Sequence, residues 1–205
     1  MAGKLLQIRL NANLYQDFND FDSFKDIVLS QALKIDSELK KKYEKASKIE
    51  NADPEDVYPG IEEEYDLYEG YEKEMYKALV VLLYSRIEIK LKDILNIYDH
   101  SYTIYNKKIE RFDFKKIEKA FKNLFSIIIK KIELFNSFDE LRELNNCLKH
   151  KEIVSNELKK KNRGRWRQGE EIKLTKDDLD RLLPNSKKFF LNLIDELKKK
   201  LAENQ

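Results

Sequence analysis

The sequence is poor in residues that interrupt helices: five Gly and three Pro among 205 residues, set against many Lys, Glu, Leu and Ile. That scarcity of turn formers argues against a fold of many short strands and favours long helices. A single cysteine, Cys147, excludes an internal disulfide and points to a reducing compartment. With only two histidines, His100 and His150, and one thiol, no pair has metal-ligand spacing, so no metal is expected. There is no phosphate-cradling glycine loop, no dinucleotide fingerprint and no nucleophile elbow, which removes nucleotide cofactors and leaves the expected cofactor list empty. No apolar run approaches the roughly 20 residues of a membrane span, and the first residues lack an apolar segment of secretory length. The expectation is a cytoplasmic chain with no membrane association.

The length suits one domain with a sizeable core, read as a core over 61–202 preceded by a helical extension over 1–50. The net charge of +2 conceals a separation along the chain. Between Glu50 and Glu74 stand eleven acids and one base, a net −10, so the remainder carries +12. A basic remainder of that size can attract a polyanion such as RNA, or can be a solvated face. Within the acidic stretch Tyr65, Tyr68 and Tyr71 recur every three residues, as ordinary packing, as a surface for a basic partner or as a screen for the chain's own basic face.

Helical spacing of apolar residues predicts a first helix opening at Asp22 and Ser23 and running towards Ile49. The punctuation Asn51-Ala52-Asp53-Pro54 and Tyr58-Pro59-Gly60 predicts a loop over 51–60. A second helix follows from Ile61 to about Tyr98, with a connection from His100 to Asn106. Asp113 is placed to cap a third helix whose apolar face extends to Ile128 and Ile132. Ser137 and Glu140 have the spacing of a capping box, which starts a fourth helix at Phe138 with Phe138, Leu141, Leu144 and Leu148 as its buried stripe. After His150 the pattern reads as loop, with Glu171-Ile172-Lys173-Leu174 short enough for one arm of a β-hairpin near 165–174. Thr175 to Asp178 cap a final helix to about Leu201, which Pro184 is expected to kink or divide. The expected fold is all-α, an antiparallel up-and-down bundle of four to six helices.

Chemistry, if the chain performs any, centres on the fourth helix. Arg142, Asn145, Asn146 and Lys149 are spaced i, i+3, i+4 and i+7 on its polar side, and His150 ends it four residues beyond Asn146. Histidine titrates near neutrality and suits general acid–base work; the plainer reading is that His150 only caps the helix. Downstream, Lys159, Lys160, Lys161, Arg163, Arg165 and Arg167 surround Trp166, a combination that can grip RNA by charge and stacking. The alternative is a solvated loop with Trp166 tucked onto the bundle.

The stretch Glu140-Leu141-Arg142-Glu143-Leu144-Asn145-Asn146-Cys147-Leu148-Lys149-His150 resembles the fourth-helix motif of the HEPN superfamily, an arginine and a histidine separated by four to six intervening residues. Leu83-Tyr84-Ser85-Arg86-Ile87-Glu88-Ile89-Lys90-Leu91 is similar to the companion helix of that superfamily, with Glu88 matching its acidic residue. The resemblance spans about Lys77 to Leu197. It implies a helical bundle, commonly a homodimer, acting as a metal-independent ribonuclease or RNA-binding component in toxin–antitoxin and phage-defence systems, with an antitoxin or defence subunit as protein partner. In that scheme His150 activates the ribose 2′-hydroxyl or protonates the leaving oxygen, leaving 2′,3′-cyclic phosphate, and Asn146 matches the polar residue after the motif arginine. The motif arginine itself is replaced by Asn145, an uncharged donor, with Arg142 and Lys149 as nearby cations. That replacement keeps open the other class the resemblance implies, a non-catalytic interaction module or helical adaptor.

Overall fold

The computed structural model describes residues 2–46, 48, 54–102 and 114–203, with side chains described for 18–46, 48, 60, 62–98 and 114–203. Six α-helices occupy them: α1 (Ala2–Ala46), α2 (Pro54–Tyr102), α3 (Phe114–Phe125), α4 (Phe135–His150), α5 (Asn156–Lys161) and α6 (Lys176–Glu203), with one 3₁₀ turn at Ile129–Lys131. The all-α expectation holds. No helix among the described residues is long and apolar enough to cross a membrane.

Helix α4 is the organising element, packing against α2, α5 and α6. Its Phe138, Leu141 and Leu144 are fully buried, and Phe138 stacks between Tyr84 of α2 and Phe189 of α6, at 6.1 and 4.5 Å between ring centroids. Leu148, expected in the same stripe, is only partly buried at the rim. The main core gathers Leu79 to Leu95 of α2, Ile117 and Phe121 of α3 and Leu179 to Leu201 of α6. It also takes in Phe18 and Phe21 of α1, with Phe18 against Phe190 at 5.4 Å.

Beyond this bundle α1 and α2 continue together as an antiparallel two-helix arm. The direction follows from the pairing, since Lys42 meets Glu64 at 2.5 Å while the Tyr68 hydroxyl donates to the Ala32 carbonyl at 2.9 Å. The arm has its own small cluster, Ala32, Leu39 and Tyr68 with Met75 against them, separate from the main core.

Several boundaries differ from the sequence expectation, each for a local reason. α1 starts at Ala2 rather than at Asp22, because Phe18 and Phe21 carry the helix across the bundle. Asp22 forms an ion pair with Lys187 there instead of capping. α2 starts at Pro54, where a missing N–H belongs to an end that lacks a partner anyway, and it carries Pro59 and Gly60 inside the helix. Asn51 to Asp53 lie outside the described residues, as do residues 103–113 with the proposed cap Asp113. His100 and Ser101 are helical rather than connecting.

α3 stops at Phe125, and Ser126 takes a left-handed φ of 59°. Extended backbone at Ile128 then buries Ile127 and Ile129 while Ile128 faces outward, so the isoleucines expected to prolong α3 pack by alternation instead. α4 starts at Phe135, three residues before the expected Phe138, after Leu134 at φ 65°, and Glu140 is turned into the core instead of back to Ser137. No β-hairpin forms near 165–174. An isolated antiparallel bridge joins Ile153 to Glu171 and encloses α5, a helix absent from the expected elements. α6 is one continuous helix with Pro184 inside, because Leu182, Leu183, Phe189 and Phe190 are all buried and hold both halves on one axis. Its expected cap is present: the Asp178 N–H donates to Thr175 Oγ1 at 3.3 Å and the Asp178 carboxylate accepts from the Thr175 N–H at 3.0 Å.

Candidate functional site

One side of α4 is polar along its whole length, and the structure places the predicted residues on it unequally. His150 and Lys149 end the helix exposed, and Asn146 is half-buried one turn before them. Directly after His150 the chain reverses: Lys151 and Glu152 N–H both donate to the Cys147 carbonyl, and Glu152 takes a left-handed φ of 54°. That strained residue is held from two sides, by Lys77 Nζ on its carboxylate at 2.6 Å and by the Ile172 N–H on its carbonyl at 2.8 Å. The reversal carries the chain away from the end of α4.

Asn145, at the position of the motif arginine, is 1 % exposed and faces the core, with its Oδ1 unpartnered among the described residues. It therefore does not join the exposed group, and the reason is geometric: 145 falls within the arc of Phe138 and Leu141, not that of Arg142 and Asn146. Arg142 is not a free cation either. Its Nε and Nη2 donate to Asp139 Oδ1 at 2.9 and 2.7 Å, its Nη2 also donates to Glu143, and its guanidinium lies 5.3 Å from the Phe114 ring centroid. Burial works against this charge, but Asp139 and Glu143 outweigh it and hold the group above its ordinary pKa. Lys161 closes the set on Asp139 Oδ2 at 2.5 Å, so two carboxylates and two cations balance.

Two helices border this face. From α2, Glu88 pairs with Lys92 at 2.9 Å. Burial and the Glu88 charge raise the pKa of the Tyr84 hydroxyl, with Arg142 opposing, which brings Glu88 and Arg142 to bear on one phenol. From the other direction α5 runs back along α4 towards Asp139, as the Lys161 pair shows. Ser155 caps α5, accepting from the Leu158 N–H at 3.0 Å, and the exposed α5 lysines are Lys159 and Lys160, the latter on Glu157 at 2.8 Å. Among the described residues no hydrogen bond or ion pair joins His150 to Glu88 or Arg142, and about 12 Å of helix rise separates Arg142 from His150.

The basic segment divides sharply. Trp166 is 2 % exposed, its Nε1–H donating to Glu140 at 2.8 Å, so its ring is core and unavailable for stacking on a base. Arg165 lies over that ring at 4.4 Å and grips Asp178 through Nε at 2.8 Å and Nη2 at 2.6 Å. Arg181 holds Glu140 with two bonds of 2.8 and 2.7 Å. Burial alone would raise the Asp178 pKa, but bonds from Arg165 and from Thr175 hold the carboxyl below its ordinary value. Of the predicted nucleic-acid set, Trp166 and Arg165 are thus structural and Lys161 is engaged with Asp139. Lys159, Arg163 and Arg167 remain exposed, Arg167 within 3.8 Å of Glu170.

Sequence reasoning missed Asp139, Glu143, Glu140 and Arg181. The first two were legible, lying three residues before and one after Arg142. The Glu140–Arg181 pair spans 41 residues, and no local pattern announces it. Among the described residues no group of three or more His, Cys, Asp or Glu is arranged to hold a metal ion. In comparisons with models of known families, with curated proteins and with solved structures, this chain matches none.

Proposed function

We propose that this chain is an RNA-directed helical module of the HEPN-like kind, engaging phosphates through the exposed end of α4 and its basic surroundings. The observation that supports the reading is the exposure of Lys149 and His150 together at the C-terminus of the central helix, with Asn146 behind them. Lys151, Lys159, Arg163 and Arg167 are further exposed cations in the two segments that follow. Such groups supply phosphate neutralisation, which falls steeply with salt.

Binding is favoured over cleavage because the cations nearest the motif are already spent. Arg142 is neutralised by Asp139 and Glu143, and Asn145 is in the core. A phosphorane would therefore have Lys149 as its charged neighbour, a point charge in place of a planar fork. The cleavage reading rests on the exposed imidazole of His150 as acid–base group, producing 2′,3′-cyclic phosphate without a metal. A homodimer and an antitoxin or defence subunit as partner belong to the same proposal, and sedimentation of the purified chain tests the former.

Incubation of the chain with total RNA in EDTA separates the two forms. Retention of RNA without cleavage, declining with salt, is the expected result. Cleavage that disappears in His150→Ala transfers the proposal to the ribonuclease form. If the chain neither retains nor cleaves RNA at low salt, the proposal fails.

A further inference from the structure

The acidic half of the molecule is left uncovered by the basic half. Glu62, Glu63, Glu64, Asp66, Glu69 and Glu74 are all exposed on α2, and the ion pairs they form reach only Lys42, Lys73 and Lys77, on or beside the arm itself. None of the cations around α4 and α5 closes onto them in the pairs observed. The described part of the acidic segment, 62–74, is thus not a screen for the basic face around α4 and α5.

Between α1 and α2 this acidic surface opens into a cleft of about 560 Å³. Its apolar walls are Leu39, Tyr43 and Tyr65, and its rim carries Glu44, Glu62 and Asp66. Among the described residues lining the cleft the one base, Lys40, is answered by Asp36 at 2.7 Å. The tyrosines are only half covered, Tyr43 at 52 % exposure and Tyr65 at 45 %. Leu33, seven residues before Lys40 and so on the same side of α1, is 60 % exposed. On α2, Glu62, Tyr65, Asp66 and Glu69 share one side by their three- and four-residue spacing. The groove between the helices is therefore lined with large apolar groups and edged by carboxylates, while the described residues of the arm bury a small cluster of Ala32, Leu39 and Tyr68 with Met75 partly buried against it.

We propose that this groove is the docking site for a basic amphipathic helix of a partner protein, whose apolar residues seat against Leu33, Tyr43 and Tyr65 while its Lys or Arg residues meet Glu44, Glu62, Asp66 and Glu69. Charge complementarity selects this occupant, since an acidic helix would face the same rim with like charge. Geometry favours a helix, because a third helix in the groove turns a two-helix arm into a three-helix bundle. Residues 32–46 span about 22 Å, matched by about four helical turns of partner. This site is separate from the α4 face and stands whether or not RNA is bound there.

The full chain is titrated with a fluorescent Leu/Lys amphipathic helical peptide of about 20 residues, with oligolysine of equal charge and a Leu/Glu peptide alongside. The Leu/Lys peptide is expected to bind, with oligolysine weaker by about tenfold and the Leu/Glu peptide not binding. Glu62→Lys combined with Asp66→Lys is expected to weaken the Leu/Lys peptide by at least about tenfold, and Tyr65→Ala by about fivefold. Amide exchange is expected to slow within 32–46 and 60–75 in the complex. Because the substituted side chains are exposed, circular dichroism should show the fold unchanged in each variant. Absence of binding, indifference to these substitutions, equal affinity for oligolysine, or protection located on α4 to α6 would each overturn the proposal. So would a dimer of the free chain that dissociates on Asp66→Lys, which would make a second copy the occupant.

Discussion

The bundle and the arm are made from the same two long helices, yet they are held together differently. Where α1 and α2 cross the bundle, α3, α4 and α6 surround them, and Leu79, Val80, Leu83, Ile87 and Leu91 lose contact with solvent. Where the same helices run on as an arm, each packs on the other alone among the described elements, and Leu33, Leu67 and Tyr71 stay about 60 % exposed. Charged pairs differ in the same way. The bundle holds buried ones, as in Glu140 between Arg181 and Trp166, whereas the arm carries exposed pairs such as Lys73–Glu69 that contribute little. The buried core lies mainly in the bundle, and the arm leaves large apolar groups in solvent.

Substitutions that break this contrast should rank accordingly. Trp166→Ala removes a fully buried ring and leaves Glu140 with one partner fewer, so we expect a loss of about 3–5 kcal/mol in a denaturant titration. Leu144→Ala in the bundle should cost about 3–4 kcal/mol, whereas Leu39→Ala in the arm, beside an open cleft, should cost about 1–2 kcal/mol. Equal losses at the two leucines would show that the arm is packed as well as the bundle.

Acid titration sharpens the comparison further. The folded pKa of Asp178 lies below its unfolded value, so its contribution is complete above the unfolded pKa and is lost as pH falls through the folded one. Below about pH 4 the wild type should therefore lose stability relative to its neutral value more steeply than Asp178→Asn. Parallel acid curves for the two proteins would contradict the Arg165–Asp178 assignment. The smallest effect is expected on the arm surface, where Leu67→Ser should change stability by less than about 0.5 kcal/mol.

What could be read in advance was what depends on neighbours in the chain. The helical class, the buried stripe of Phe138, Leu141 and Leu144, and the Thr175–Asp178 cap all follow from spacing within a turn or two. What failed depends on contacts distant in sequence. Ser137 and Glu140 have the form of a capping box, but Arg181 and Trp166 claim the carboxylate from 41 and 26 positions away. Asp22 resembles a helix start, but Lys187 takes it as an ion-pair partner. The same limit governs the site. Arg142, Asn146 and His150 sharing a face was legible from the 3.6-residue period, whereas Asn145, expected beside them, belongs to the buried arc of Phe138 and Leu141. That Trp166 is core rather than a stacking platform was not legible, because a tryptophan among cations reads alike in both settings.

The most direct test of the account is a salt-dependent titration of single-stranded RNA against the wild type and two charge-reversed variants. One carries Lys149→Glu, Arg163→Glu and Arg167→Glu at the α4 end; the other carries Glu62→Lys and Asp66→Lys on the arm. The account predicts that the first loses RNA affinity by about tenfold or more and shows a shallower salt dependence, while the second retains at least the wild-type affinity. Undiminished binding by the first variant would contradict it.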